Sequence, residues 1–132
     1  MFVVLTSFIP SQSARSRALA SAVDNPTTLT FIDVCEEMKF VRAEALSAIA
    51  AREKMTATRN LDRYDELTRR LQVGHYLRNG SLSDFQRSKC RVLLSRLERC
   101  KDLTEAGEFQ TAREMSHPIF LAHIRCRAAF TE

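Results

Sequence analysis

The stretch Leu61-Asp62-Arg63-Tyr64-Asp65-Glu66-Leu67-Thr68-Arg69-Arg70-Leu71 decides the fold, together with the break Asn79-Gly80-Ser81-Leu82-Ser83 that follows it. Leu61, Tyr64, Leu67 and Leu71 recur at steps of three and four, which sets them on one face of an α-helix. Asp62, Arg63, Asp65, Glu66, Arg69 and Arg70 surround that stripe with charge. Gly80 suits the end of such a helix, because glycine takes the left-handed conformation at little cost. Ser81 or Ser83 caps the next helix, and Ser83-Asp84-Phe85-Gln86 fits a capping box. Cys90, Leu93, Leu97, Cys100 and Leu103 form its stripe, with Val92 and Leu94 widening the face.

The same spacing extends outward in both directions. Cys35, Met38, Val41, Ala45 and Ile49 line up one face of an earlier helix, expected over Phe31 to Met55. Thr30 and Asp33 supply its start signal. Glu36, Glu37, Lys39, Glu44 and Arg52 fall on its other, solvent-facing sides. Thr56 to Asn60 lacks periodicity and reads as a turn or loosened stretch. Ala106-Gly107 is a further break, after which Phe109, Ala112 and Met115 begin a last pattern. His117-Pro118 disturbs that pattern, since the residue before proline disfavours helix and proline lacks an N–H. Ile119, Phe120, His123 and Ile124 resume the apolar face. The last element is therefore expected as a kinked helix or two short ones.

Composition agrees with this reading. A chain of 132 residues is most simply one domain. It has three glycines and three prolines, too few for the many tight turns of an all-β fold. The expected fold is all-α, a small antiparallel bundle of three to five helices over residues 28–132. Residues 1–27 read as an N-terminal arm, extended or held by a partner, with Asn25-Pro26 as a turn signal. No apolar run approaches the roughly 20 residues that span a bilayer.

Phe2-Val3-Val4-Leu5 is too short for the apolar core of a secretory signal. The four cysteines (Cys35, Cys90, Cys100, Cys126) are too sparse for a disulfide-built secreted domain, so a reducing compartment, cytoplasm or nucleus, is expected. Ser7 to Val23 carries Arg15, Arg17, repeated Ser and Ala and no acid before Asp24, a composition that faintly resembles a mitochondrial transit peptide.

Candidate chemistry is thin. Cys90 and Cys100 enclose nine residues, a spacing used in paired-cysteine helical hairpins, but Cys35 and Cys126 supply no second pair; buried apolar thiols on one stripe are the simpler reading. His123 and Cys126 stand one helical turn apart, as two zinc ligands would, with Cys90, Cys100 or His75 needed to complete a site. No compact Cys-x-x-Cys pair supports one. There is no phosphate-binding glycine loop, nucleophile elbow or metalloprotease helix motif. No enzyme activity, metal or cofactor is expected.

Two binding readings follow. A scaffold or protein-interaction module would leave an apolar stripe unpacked; the candidates are Phe2, Val3, Val4, Leu5, Phe85, Phe120, Leu121 and Phe130. A basic helical RNA-binding protein would gather Arg69, Arg70, Lys89, Arg91 and Arg96 on one face to follow a phosphate backbone. The net charge of +4, from 20 basic and 16 acidic residues, permits this without requiring it. A subunit role in a larger assembly, or self-association, fits the first reading.

Two segments carry a family resemblance: Asp65-Glu66-Leu67-Thr68-Arg69-Arg70-Leu71 with Gly80-Ser81-Leu82-Ser83, and Phe109-Gln110-Thr111-Ala112-Arg113-Glu114-Met115 with Ile119, Phe120 and His123 beyond. Together they resemble the small helical domain shared by the steroid receptor RNA activator protein and the C-terminal region of the large COPII outer-coat subunit. In that family too an aromatic-x-x-Ala helix is followed by two apolar residues and a histidine. A small residue beside an aromatic lets two helices approach closely. The match covers roughly residues 61–123; it departs at Pro118, in the long helix between Ser83 and Phe109, and in lacking the family's final helix, with its aromatic and Gly signature, after His123. The resemblance implies a non-catalytic interaction module of coat assembly or RNA-linked transcriptional regulation.

Overall fold

The computed structural model describes residues 30–131. Among them are five helices and no strands: α1 (Phe31–Ala50), α2 (Lys54–Asn79), α3 (Asp84–Glu105), α4 (Phe109–Arg113) and α5 (Ser116–Ala128). The fold is a small all-α bundle. The N-terminal arm, with Phe2, Val3, Val4 and Leu5, lies outside the described residues.

Local chemistry sets most of the boundaries. Thr30 caps α1 by accepting from the Asp33 N–H at 3.0 Å, while Asp33 accepts from the Thr30 N–H at 3.4 Å. Ser83 and Gln86 repeat this reciprocal arrangement at α3, both bonds at 3.0 Å. Gly80 ends α2 at φ +78° and Gly107 follows α3 at φ +80°, both left-handed.

Two boundaries differ from expectation. The first long helix stops at Ala50, not Met55, and Thr56 to Asn60 belong to α2. The chain turns instead at Ala51-Arg52-Glu53, with Arg52 in the left-handed region at φ 58°. Neither glycine nor proline marks this turn. Thr58 and Asn60 lie inside the first turns of α2, their side chains donating back to the carbonyls of Lys54 and Thr56 at 3.0 and 2.9 Å. The last pattern resolves into two helices, but the break falls at Glu114-Met115 rather than at His117-Pro118. Pro118 occupies the first turn of α5, where a missing N–H costs no helical bond.

Packing follows chain order. α1 lies on α2, α2 on α3, and α3 on both α4 and α5; α4 also reaches back to α1. The core is built from the expected stripes, Met38, Val41 and Ile49 of α1, Leu61, Tyr64 and Leu67 of α2, Leu93 and Leu97 of α3 and Ile119 of α5, joined by Cys126 of α5. Polar ties fix the register. Lys101 pairs with Asp62 at 2.7 Å between α3 and α2. Arg96 donates to the Pro118 carbonyl at 2.9 Å and Gln86 to the Ala129 carbonyl at 3.0 Å, joining α3 to the two ends of α5.

Four residues sit contrary to their assigned faces: Glu37, Val92, and Phe120 and Ile124 of α5, which spacing set on the apolar face but which are 42% and 45% exposed. Glu37, expected toward solvent, is only 6% exposed. It follows Val34 by three residues, so the buried face of α1 is broader than the stripe starting at Cys35 suggests. Val92, expected to widen the buried face of α3, is 40% exposed, because the stripe of Cys90, Leu93 and Leu97 already fills the contact with α2 and α5.

Candidate functional site

Among the described residues, one seam of the bundle stays open. α1 and α5 stand beside each other without packing closely, and a groove of about 580 Å³ runs between them. Lys39 and Arg42 line it from α1; Phe120, His123, Ile124 and Arg127 line it from α5. α5 carries two ridges. Ile119, Ala122, His123 and Cys126 are buried. Phe120, Ile124, Arg127 and Thr131 follow at steps of four, three and four, which sets a second ridge beside the first along the groove. Phe120 and Ile124 remain 42% and 45% exposed.

The floor is polar and closed. Tyr64 and His123 are buried, hydrogen-bonded through the phenol oxygen and Nδ1, and their rings meet edge to face at 5.7 Å. Burial holds His123 down at about 4, helped by the charges of Arg42, Arg127 and Lys39. Burial likewise raises the Tyr64 phenol, against the opposing pull of Arg42. The imidazole is therefore neutral, with one ring nitrogen protonated and the other free to accept.

The rim is cationic. Lys39 meets Glu36 at 3.4 Å across an exposed pair. The Arg42 guanidinium lies 5.1 Å over the Phe120 ring. Neither Arg42 nor Arg127 forms an ion pair among the described residues.

The remaining apolar candidates divide. Phe85 is exposed, with Lys89 5.1 Å from its ring centroid. Phe130 is no free anchor: it packs on the core and meets His75 edge to face at 5.1 Å. Leu121 is half-buried, lying on the opposite side of α5 from Ile119. Among the described candidates, Phe120 is the one inside the groove. Lys39, Arg42, Ile124 and Arg127 were missed. Their signal was present only as Phe120 and Ile124 four apart, beside a stripe already complete through Ile119, His123 and Cys126.

The predicted basic face is broken up. Arg69 and Arg91 do share a cleft between α2 and α3, but Asp62, Asp65 and Glu98 line it with them. Arg69 bonds Asp65 at 2.7 Å. Arg70 lies near Thr30, Phe31 and Gly74 at the start of α1, and Arg96 is spent on the Pro118 carbonyl. Lys89 sits over Phe85. Helical spacing explains the split: Arg69 and Arg70 are about 100° apart on α2, as are Cys90 and Arg91 on α3.

The thiols are all buried. Cys90 and Cys126 place their sulfurs 3.2 Å apart between α3 and α5, and Cys100 contacts the Ala112 carbonyl at 3.7 Å. Burial raises Cys35 and lifts Cys100 to about 11. Cys126 is also raised, first by its contact with Cys90. Thiols held un-ionised are poor nucleophiles and poor metal ligands. Among the described residues no group of three or more His, Cys, Asp or Glu side chains is placed to hold a metal ion. No described helix is long and apolar enough to cross a membrane.

Comparison with protein-family models, with curated proteins and with solved structures found no match to this chain.

Proposed function

We propose that the protein is a non-catalytic helical interaction module, a subunit or adaptor that binds a protein partner in the α1–α5 groove. The observation that carries this reading is the pair Phe120 and Ile124, 42% and 45% exposed along one ridge of an unfilled seam. Exposed apolar side chains that line a groove are worth more buried than wet, at about 25 cal/mol per Å². The resemblance over residues 61–123 points to the same class of activity. His123 and the four thiols are enclosed, which suits packing better than chemistry. An RNA-binding role has less support, because the basic residues that would carry it are divided among separate surfaces and paired with acids.

Site-directed photo-crosslinking tests the proposal. A benzophenone side chain at position 120, expressed in the native cell, is expected to capture one dominant protein. The same group at Arg113, outside the groove, should not. Equal capture at both positions would contradict the reading.

A further inference from the structure

We propose that the groove's occupant is an acidic amphipathic helix of a partner protein, with carboxylates about two turns apart; this rests on the groove being the docking surface. Three observations define that chemistry.

The first is shape. α1 and α5 run antiparallel beside the groove: Arg42 lies at Phe120, while Arg127 and Lys39 both act on Cys35, seven residues before Arg42. Within α5 the ridge from Phe120 to Arg127 spans seven residues, roughly 10 Å or two helical turns. A helix laid in such a seam meets both walls as bundle neighbours do, ridges into grooves.

The second is charge. Arg42 marks the Phe120 end and Arg127 lies seven residues further along α5, roughly 10 Å by helical rise. Lys39 lies between Arg42 and Cys35 on the facing wall. All three lower the affinity of His123 for a proton, so their fields converge on the groove floor. A ligand with one anionic head would use one end. Cations at both ends call for anions at both ends, and acids at i and i+7 of a helix meet that spacing.

The third is the apolar strip that runs beside the cations along α5. Phe120, Ile124 and Ala128 need an aliphatic face opposite them. A phosphodiester strand has charge but no such face. The first 23 residues of this chain carry arginines and no acid, so that segment lacks the complementary charge.

A helix-forming peptide library displayed on phage, selected against the full chain, tests the inference. Enriched sequences should carry Asp or Glu about seven positions apart beside an apolar stripe. Their affinity should fall at least about tenfold in Arg42→Glu/Arg127→Glu and return when the peptide acids are changed to Lys. Should that variant lose its helicity, Lys39→Glu/Arg127→Glu, both at exposed positions, takes its place. Neutral peptides that depend on Phe120 and Ile124 alone would overturn the acidic partner and leave the groove reading standing. Peptides insensitive to all these positions, or no enrichment, would overturn both. A single-stranded poly(U) oligonucleotide that displaces the peptides and loses affinity in the same variants would replace the helix by RNA.

Discussion

His123 holds a proton less readily than a free imidazole because burial strips it of water and three cations add to the effect. Its value in the folded protein, about 4, lies below the unfolded 6.5, so the unfolded chain takes up the proton first as pH falls. The linked stability is whole above about pH 6.5 and is lost between there and about pH 4. Urea unfolding at steps across this range should show wild type losing on the order of 3 kcal/mol more than His123→Gln. Parallel pH profiles for the two proteins would show that His123 is free to protonate in the fold. The phenol side of the pair gives a second test. Tyr64→Phe leaves Nδ1 buried without its hydrogen-bond partner and should cost about 1–3 kcal/mol, read from the same unfolding curves. In the His123→Phe background, where no such partner remains, the same change should cost much less.

At the scale of the helix, one substitution has opposite signs at two glycines. Gly80 ends α2 at φ +78°, where a Cβ is strained whatever the space, so Gly80→Ala should destabilise by about 1 kcal/mol. Gly74 lies inside α2, and an added Cβ would meet only the guanidinium end of Arg78, at 3.2 Å. That flexible, exposed group can move. Gly74→Ala should therefore stabilise by up to about 1 kcal/mol. Thermal melting of the two variants checks both signs.

Helix ends of this kind are legible in the sequence wherever the signal is local. Thr30 with Asp33, Ser83 with Gln86, and glycine at 80 and 107 each act through the next few residues. The turn at Ala51-Arg52-Glu53 was not legible, because a non-glycine residue adopts the left-handed conformation there. Its cost is met by the packing of α1 on α2, which no short window of sequence contains. Pro118 misled for a related reason: its effect depends on whether it opens a helix or interrupts one.

For the whole molecule, the core stripes could be read from spacing, but the open seam could not. Spacing tells which face of a helix is buried; it does not tell which two helices fail to meet. The same limit hid the Cys90–Cys126 and Tyr64–His123 contacts, which join residues 36 and 59 positions apart. Burial of all four cysteines predicts that a thiol reagent such as dithionitrobenzoate labels none of them in the native protein and all four in guanidinium. The broken basic surface predicts equally little for RNA. Filter retention of double-stranded RNA should be weak and should change little between two salt concentrations, whereas a steep salt slope would reveal a phosphate-tracking face.

The working surface itself is best located by amide hydrogen exchange, comparing the purified chain with the complex isolated through the position-120 crosslink. New protection is predicted on both walls of the groove, around Lys39–Leu46 of α1 and Phe120–Thr131 of α5, with the α2–α3 cleft unchanged. Protection centred on that cleft, or around Phe85 at the start of α3, would contradict the account.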